Sequence, residues 1–473
     1  MAPALSPQTK GLHREIPFRP LPATSEDAGS KTGQKCELQP LPSYIGKGGV
    51  FLTLGLPEHF IVGLDAMAMT TNKSLLGFRE IPQGAHFLWV QQPSGVSRCG
   101  YWFTRGVQAA VRTKKWDARN ETLEEPSQAE AREVEASVKS VYPTLQPYTL
   151  HAHRDIPATA LEGTLPEWAR SPGSLWHALT SAISDPTLER ITSRKDVNEY
   201  LVDSMDCAKD TFQTDNRSSG DGPTITGINN KLNFLFTQDF HDLQVLDLGP
   251  TQSRVADTSL RVQSLLNAIS TNPGPSTEED ILAELQFTFL TGTHLGNPAC
   301  LEQWWNLALK IVLRAYTLAA LRPTLSRGLL QTLHAQLLYT EHYVGPSSSQ
   351  PGDDEGAGQK GLSSEDRPIF EYKPQNKDKL YRGLVGYKRR LNDMALSGQL
   401  GYATAEQQLV RRTFEELESW LWRRGWDLSG EQKIEREMGG MRMDDSDEEE
   451  DEQPVVVELD EDGREVGLVS FRD

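Results

Sequence analysis

Apolar and polar residues alternate in short stretches through the first part of the chain. The stretch Val50-Phe51-Leu52-Thr53-Leu54 is rich in β-forming residues, and similar stretches lie at 59–62, 85–90 and 99–103. From residue 107 apolar side chains again recur at every second position. Short strands at this spacing, separated by glycine and proline, are typical of antiparallel sandwiches or barrels. The pattern therefore predicts an N-terminal antiparallel β-sandwich.

A helical period replaces this alternation from about residue 256. Asn297 followed by Pro298 has the sequence of a helix N-cap and first helical position, and we expect the helix behind it to continue to Pro323. Apolar positions predict a further helix around Leu330 and a last one over 404–424. The expected fold class is α+β multidomain, with a C-terminal all-helical domain after the sandwich.

Composition divides the chain further. Stretches rich in Pro, Ser, Gly or acidic residues predict disorder, and the acidic tail is followed by a short β-prone segment. The expected parts are a disordered leader over 1–43, a β-sandwich domain with a helical linker region over 44–250, a helical domain over 256–428 with a disordered insertion at 345–368, an acidic disordered tail over 430–453, and a C-terminal β-strand motif over 454–471.

Charge and cysteine content exclude several classes of protein. The net charge is −18, of which residues 444–473 carry −12, so we expect no direct nucleic-acid binding, which requires a basic face. No apolar run is long enough to span a membrane, and the first residues lack the apolar core of a secretion signal. Four widely separated cysteines predict neither a disulfide framework nor a zinc site, and they favour a reducing cytoplasmic or nuclear location.

The local motifs of common enzymes do not occur in the sequence. There is no phosphate-binding loop, HExxH or GxSxG motif, so we expect no enzymatic activity and no catalytic, cofactor-binding or metal-binding residue. For the remaining candidates a structural interpretation outweighs a chemical one. We interpret His151 and His153 as surface residues, His294, His334 and His342 as packed residues, Cys300 and the pair Trp304-Trp305 as core, and Lys388-Arg389-Arg390 as a solvated cluster rather than an import signal or a phosphate contact.

Two features of the acidic tail indicate interaction with other proteins. Ser446 is followed three residues later by Glu449, the spacing that acid-directed kinases favour, and is a phosphorylation candidate; the alternative is an unmodified serine. The segment after it has alternating faces and can add a strand to the exposed sheet edge of a partner, or pair within its own chain, or stay disordered. Its candidate partner-binding residues are Val455, Val456, Val457 and Leu459.

Three motifs in this order resemble those of the Aar-two family of splicing factors. Phe60-Ile-Val-Gly-Leu-Asp65 with Gly77–Phe87 is similar to the family's first motif, although Ala66-Met67-Ala68-Met69 follows Asp65 where the family has tryptophan, and Gln83 replaces a proline. The stretch Asp280–Phe289, with Leu295-Gly296-Asn297 and Trp304 behind it, is similar to the second. Pro454-Val-Val-Val-Glu458 is similar to the third. The resemblance spans about residues 48–343 and 454–459.

The resemblance implies a fold and a set of partners. Family members have an N-terminal sandwich like the von Hippel–Lindau β domain and a helical domain like VHS superhelices. They bind the large U5 scaffold protein Prp-eight at its RNase H-like and Jab/MPN domains, and keep the Brr-two helicase off until maturation, with phosphorylation promoting the exchange. Their tail joins an intermolecular β-sheet with the scaffold, which implies that role for Val455, Val456, Val457 and Leu459.

The expected function is that of a chaperone-like assembly factor of the U5 small nuclear ribonucleoprotein in pre-mRNA splicing. Such a protein would block premature helicase or RNA engagement of the scaffold, in the cytoplasm and the nucleus, without a cofactor. Two alternatives stay open from the sequence. One is a general nuclear adaptor that binds partners by addition of its tail strand, and the other is an enzyme with no recognisable motif.

Overall fold

The structure, a computed structural model, describes the following parts of the chain. They are residues 16–17, 48–72, 75–93, 97–106, 110–149, 166–169, 171–196, 200–208, 231–236, 257–271, 278–343, 375–396 and 404–429. In chain order the strands are β1 (Ile16–Pro17), β2 (Gly49–Leu54), β3 (Ile61–Leu64), β4 (Met67–Thr70), β5 (Gly77–Ile81), β6 (Gly84–Gln91), β7 (Arg98–Arg105), β8 (Ala110–Asp117), β9 (Thr122–Glu124), β10 (Gln146–Pro147), β11 (Leu201–Asp203), β12 (Cys207–Ala208) and β13 (Lys231–Leu232).

These strands form two large sheets and one short pair. The first sheet has the order β1-β8-β2-β5-β10, with β9 on β8, and the second has the order β11-β7-β6-β3-β4. The second sheet is antiparallel throughout. In the first sheet β2 runs parallel to β8 and β10 parallel to β5, an arrangement that a simple meander does not produce. The predicted sandwich is confirmed, with these two parallel pairs as the difference.

Strand β2 shows how the sandwich is covered on both faces. Its successive residues Val50, Phe51 and Leu52 are all buried, although side chains along a strand point alternately to opposite faces. The Phe51 ring lies 5.1 Å from the ring of Phe103 in the other sheet, inside the sandwich. Val50 and Leu52 pack instead in a separate apolar cluster with Val138 of the following helix. That helix therefore shields the outer face of the first sheet.

Helices make up most of the chain after the sandwich, and four of them contact one central helix. The helices are α1 (Gln128–Val141), α2 (Pro172–Thr180), α3 (Asp185–Thr192), α4 (Ser259–Thr271), α5 (Glu278–Leu295), α6 (Pro298–Asn306), a π-helix (Leu307–Val312), α7 (Leu318–Leu321), α8 (Pro323–Tyr343), α9 (Gln375–Leu396) and α10 (Ala405–Trp422). Helix α5 is buried around nearly its whole circumference and contacts α2, α3, α6, α8 and β7. A helix buried on all sides lies at the centre of a larger core. The predicted α+β class with a C-terminal helical region is confirmed.

The helix after Asn297 is shorter than the sequence predicts. Asn297 caps it as expected, but α6 ends at Asn306 and a π-helix and a turn follow. Pro323 begins α8 rather than ending its predecessor. A π-helix frees backbone carbonyls from the regular α pattern. Thr258, just before α4, contacts one carbonyl of the π-helix and one just after it: its hydroxyl donates to the carbonyl of Lys310 at 2.6 Å, and its amide to that of Arg314 at 3.3 Å.

All the described strands and helices fall in one compact unit, which comprises residues 1–243 and 256–429. A second unit, residues 244–255 and 430–473, lies outside the described residues and includes the predicted acidic tail and C-terminal strand. The individual domain boundaries that we expect from composition therefore stay predictions.

Candidate functional site

Asp65, which ends the first family-like motif, is the centre of a buried hydrogen-bond network. It lies in the tight turn between β3 and β4 with a positive φ of 57°, and it is fully buried. Its Oδ1 accepts the Phe87 amide at 2.8 Å, and its Oδ2 accepts the Tyr148 hydroxyl at 2.6 Å. The Nδ1 of His86 lies 2.7 Å from the same Oδ2. The carboxylate thus ties the turn to strand β6 and to the segment after β10.

Both ring nitrogens of His86 contact oxygen atoms inside the sandwich. Nδ1 faces the Asp65 carboxylate, and Nε2 lies 2.9 Å from the backbone carbonyl of Pro82, which can only accept. Both nitrogens therefore lie within hydrogen-bond distance of an oxygen atom, one of a side chain and one of the backbone. His86 is 1% exposed. This buried pair holds the sandwich together and is closed to a substrate.

Glu284, in the second family-like motif, is the centre of another network. It is fully buried on α5. Its Oε2 accepts the Leu235 amide at 2.7 Å and the Nη1 of Arg190 at 3.2 Å, and its Oε1 accepts the side-chain amide of Gln303 at 2.9 Å. Arg190 belongs to α3 and Leu235 follows β13. One carboxylate therefore joins the central helix to two segments that precede it by many residues.

Gln286 lies two residues further along α5 and is also fully buried. Its Oε1 accepts the Ala182 amide at 2.9 Å, and its Nε2 donates to the Ala178 carbonyl at 3.1 Å and to the Ser181 hydroxyl at 3.0 Å. These three residues form the C-terminal end of α2 and the turn after it. The Gln286 side chain therefore caps α2 from a distance of more than a hundred residues in sequence.

Asn297 combines a helix cap with a connection between distant segments. Its Oδ1 accepts the Cys300 amide at 2.8 Å, which is the predicted N-cap of α6. Its Nδ2 donates to the carbonyls of Asp203 and Asp206, at 2.8 and 2.9 Å. The turn after β11 is thus fixed to the start of α6. The sequence predicts the cap, but the second connection depends on tertiary structure.

The sandwich also contacts α5 directly through β7. Arg98 donates from Nη1 to the His294 carbonyl at 2.9 Å, and the Trp102 indole donates to the Thr291 hydroxyl at 3.1 Å. The Nε2 of His294 lies 2.9 Å from the Tyr339 hydroxyl. Burial, with a smaller contribution from Arg98, lowers the pKa of His294 to about 3. This histidine is therefore neutral, and the packed interpretation is confirmed.

His334 on α8 is the second packed histidine that the structure confirms. It is fully buried between the rings of Trp168 and Trp420, at centroid distances of 5.2 and 5.4 Å. Burial, and then the positive charge of Arg424, lowers its pKa to about 3. Neither ring nitrogen has a hydrogen-bond partner in the described part of the chain. His342 lies in α8, and its side chain is outside what the structure describes.

Cysteine and tryptophan candidates are part of the core, as predicted. Burial raises the pKa of the Cys300 thiol well above its usual value, and that of Cys99 to about 12, so neither is a thiolate nucleophile. Trp304 and Trp305 are 0% and 3% exposed. The Trp304 indole donates to the side-chain oxygen of Gln336 at 2.8 Å. These residues stabilise the helical region and present no ligand platform.

The basic cluster on α9 is divided by its contacts. The Nζ of Lys388 lies 2.5 Å from the Glu418 carboxylate on α10, and Arg390 lies 3.9 Å from Asp393 of its own helix. Arg389 is exposed. Two of the three cations are therefore neutralised within the chain, and the third faces solvent.

Several predicted residues lie outside the described part of the chain, and their roles stay predictions. Within the described ranges, no group of three or more His, Cys, Asp or Glu is arranged to hold a metal. No helix among those residues is both long and apolar enough to cross a membrane. The predicted residues that the structure does not describe are His151, His153, Ser446, Val455, Val456, Val457 and Leu459.

The fold and its buried networks define a class: an α+β protein with a β-sandwich and a helical region, which Arg98 and Trp102 of β7 join by hydrogen bonds to α5. Comparison with family models identifies this class more closely. Residues 47–193 match the AAR2 N-terminal domain, and residues 251–429 match the AAR2 C-terminal repeat region. The chain belongs to the AAR2 family, which confirms the resemblance drawn from its motifs.

Curated relatives agree with this assignment at low sequence identity. The Protein AAR2 homolog of Caenorhabditis elegans is 24% identical over 280 residues, which cover 55% of this chain and 71% of that protein. The Protein AAR2 homolog of Macaca fascicularis is 24% identical over 320 residues, which cover 62% of this chain and 76% of the relative. The similarity extends over most of the length of each relative.

Proposed function

We propose that this protein is an assembly factor of the U5 small nuclear ribonucleoprotein and that it acts by binding rather than by catalysis. Its AAR2 family membership is the observation that carries the proposal, because it supports a splicing-related role. The expected partner is the scaffold protein Prp-eight, through its RNase H-like and Jab/MPN domains. Occupancy of these domains would keep the Brr-two helicase off the scaffold until maturation, in the cytoplasm and then the nucleus.

The geometry of the described residues supports a binding role. Three residues of types that often serve chemistry are engaged in hydrogen bonds inside the folded unit: His86 with Asp65, His294 with Tyr339, and Glu284 with Arg190. These bonds stabilise the folded unit and do not present the three groups to a substrate. A scaffold-binding protein needs a firm surface of this kind, since ordering a flexible one on binding costs affinity.

The tail strand supplies the second part of the proposed mechanism. Val455, Val456, Val457 and Leu459 would add a strand to a sheet of the scaffold, with backbone hydrogen bonds giving affinity and alternate side chains giving specificity. The folded unit and the strand are on one chain, so engagement of the first raises the effective concentration of the second. Two moderate contacts would then give tight binding that can be released stepwise.

A binding assay with purified chain and the two scaffold fragments tests this mechanism. Truncation after Gln453 is expected to weaken binding by at least about tenfold, or ~1.4 kcal/mol. A finer comparison replaces Val455 and Val457 by serine, on one face of the strand, and Val456 by serine, on the other. Unequal losses are expected, because only one face of an added strand enters the partner's core.

Other outcomes of the binding assay would contradict parts of this mechanism. Binding that is unchanged by the truncation would contradict the tail strand and assign the interface to the folded unit. Absence of binding by the intact chain would contradict the U5 role itself. Purification of the tagged chain from cells then distinguishes a general nuclear adaptor, since U5 proteins and RNA would be missing from the purified material.

We propose phosphorylation of Ser446 as the step that releases the tail from the scaffold. Phosphate would add about −1.5 to −2 charges to an already acidic run and so change how the tail engages the scaffold. We expect Ser446→Asp to weaken scaffold binding relative to Ser446→Ala in the same assay. Equal affinities of the two variants and of the phosphorylated chain would contradict this step.

A further inference from the structure

Strand β4 is the edge of the second sheet, and among the described residues it has a neighbouring strand on one side only. It pairs with β3 in a regular antiparallel register, from Ile61 opposite Thr70 to Leu64 opposite Met67, without a bulge. An edge strand presents backbone N–H and C=O groups that can pair with another chain. The outer side of β4 therefore offers hydrogen-bond donors and acceptors to an added strand.

The outward-facing backbone groups of β4 belong to Ala68 and Thr70. The amide of Thr71, just after the strand, donates to the Phe60 carbonyl at 2.7 Å, so Thr71 bonds to the β3 side. Residues along an antiparallel ladder alternate between those that bond to the neighbouring strand and those that do not. The two methionines of β4 therefore bond to β3, whereas the amides and carbonyls of Ala68 and Thr70 point away from it. Both residues are exposed.

The other sheet edges in the described part of the chain are protected. In β11, at the opposite edge of the same sheet, the Asp203 amide donates to the Asp206 carboxylate at 2.9 Å, and the Asp203 carbonyl accepts the Asn297 side-chain amide at 2.8 Å. The outer strands of the first sheet, β1, β9 and β10, have two or three residues each, with a proline in β1 and β10 and an acid at the end of β9. Short strands, charges and prolines keep sheet edges from pairing with other chains. Strand β4 is longer, and its sequence Met-Ala-Met-Thr contains neither a charge nor a proline.

The side chains of β4 give an added strand two different faces. Met67 and Met69 lie opposite two fully buried residues of β3 and pack against the main core. Every second residue of an added strand would continue this apolar face, and methionine adapts its shape to different apolar neighbours. On the other face Ala68 and Thr70 are small and exposed, so they restrict neither the size nor the polarity of the intervening residues.

The dimensions and the charge of this edge indicate what it binds. Four residues of strand span about 13 Å, whereas a stable interface between two folded proteins requires about 20–30 residues on each side. The edge is therefore too small to hold a second folded copy of the chain. A short extended segment can bind there, because its affinity comes from backbone hydrogen bonds. Without a charge of its own, β4 does not attract an acidic or a basic segment.

We propose that the edge of β4 binds an uncharged, extended segment of a partner protein that has apolar side chains at every second position. The outward-facing groups of Ala68 and Thr70 form backbone hydrogen bonds with this segment, and its apolar side chains continue the face of Met67 and Met69. The site is on the folded unit, where a strand from outside is received. It is separate from the tail strand proposed above, which would join a sheet of another protein, so each proposal can fail without the other.

Fluorescence anisotropy of the full chain with a labelled peptide tests the proposal. The probe has nine residues of alternating valine and threonine, with one lysine added at each end for solubility. The double variant Ala68→Pro, Thr70→Pro removes both outward amide donors and is expected to weaken binding at least about tenfold. Its matched control, Ala68→Gly, Thr70→Ser, keeps both donors and should bind as the parent chain does. A peptide with serine in place of valine should bind at least about fivefold more weakly, because it has no apolar side chains to bury.

Hydrogen exchange of single backbone amides locates the bound peptide. In the free chain the amides of Ala68 and Thr70 should exchange rapidly, and the probe should slow both of them. The Met69 amide bonds to β3 and should exchange slowly with or without the probe. Slow exchange of the Met69 amide in the proline variant shows that β3 and β4 still pair. If that pairing is lost, the valine and serine peptides and the two amides of the parent chain decide the question.

Three results would overturn the proposal. The first is equal affinity of the proline variant and its matched control while β3 and β4 still pair. The second is equal binding of the valine and serine peptides, or no slowing of the Ala68 and Thr70 amides by the probe. The third is slow exchange of these two amides in the free chain. Slow exchange at every protein concentration would mean that the chain covers its own edge, and slow exchange only at high concentration would assign the edge to a second copy.

Discussion

The Asp65 network in the sandwich and the Glu284 network on α5 are equally buried, yet they connect different parts of the chain. Asp65 bonds His86 and Tyr148, all within the part that matches the N-terminal family model. Glu284 bonds Arg190 and Leu235, which precede it by 94 and 49 residues and lie outside the C-terminal model. The first network shapes one part of the protein, whereas the second joins parts together.

This difference teaches that the structural role of a buried carboxylate depends on which segments of the chain its hydrogen bonds connect. Both carboxylates satisfy several donors, and a satisfied buried carboxylate is costly to disturb, because its removal leaves partners unpaired. Loss of the Asp65 carboxylate should loosen the sandwich locally. Loss of the Glu284 carboxylate should separate the central helix α5 from α3 and from the segment after β13.

The largest expected effect is that of Glu284→Ala. It leaves Arg190 without its closest carboxylate partner and leaves the Leu235 amide unpaired, and we expect a loss of about 3–5 kcal/mol in the free energy of unfolding, measured with urea. Glu284→Gln, which keeps an acceptor, should lose less and keeps the test possible if the alanine variant does not fold. Glu279→Ala, at an exposed position of the same helix, is the control and should change little. A similar loss at both positions would contradict the joining role.

Asp65→Asn should have the next largest effect. The amide cannot accept from His86, Tyr148 and the Phe87 amide at once, so we expect a loss of about 2–3 kcal/mol in the free energy of unfolding. Hydrogen exchange should rise in β3, β6 and β10 and stay unchanged in α5. Glu58→Gln, an exposed neighbour in sequence, serves as control. Faster exchange throughout α5 would show that the two networks are not separate.

The smallest effect concerns acid stability. The pKa of His334 is about 3 in the folded protein and near 6.5 when unfolded, so the unfolded chain binds the additional proton. The stability that the neutral ring contributes is present above pH 6.5 and is lost as pH falls towards 3. His334→Phe keeps the aromatic contacts and removes this titration. Between pH 7 and 5 it should reduce the pH dependence of unfolding by up to ~1.4 kcal/mol per pH unit.

A control and a contrary result complete the acid test. His177→Gln replaces an exposed histidine of α2 and should leave the pH dependence of the unfolding free energy parallel to that of the parent chain. Parallel dependence for His334→Phe as well would mean that the buried ring does not exclude a proton. Urea titrations at four or five pH values measure both slopes.

Local signals in the sequence predict the elements but not their connections. The strands near Val50 and Phe87 follow from alternation, and the Asn297 cap follows from the residue type and the proline after it. The second bond of Asn297, to the Asp203 carbonyl, has no local signal, because a backbone acceptor 94 residues away carries no identifying side chain. The same holds for the Leu235 amide that binds Glu284.

The π-helix shows that the spacing of apolar residues does not predict where an α-helix is interrupted. Apolar residues continue through Leu307–Val312 at nearly helical spacing, so the sequence predicts one uninterrupted helix up to Pro323. In the structure the Thr258 hydroxyl donates to the Lys310 carbonyl of this π-helix, from a position 52 residues earlier in the chain.

The bonds that Glu284 and Asn297 make to Leu235 and Asp203 have a consequence for modularity. Those partners lie between residues 193 and 251, in a stretch that neither family model covers. A cut at either model boundary would therefore divide a network and leave buried polar groups without partners on both pieces. Recombination, gene fission or fragment expression at these borders would not yield two self-sufficient modules. We therefore expect stable folding only when both matched regions are on one chain.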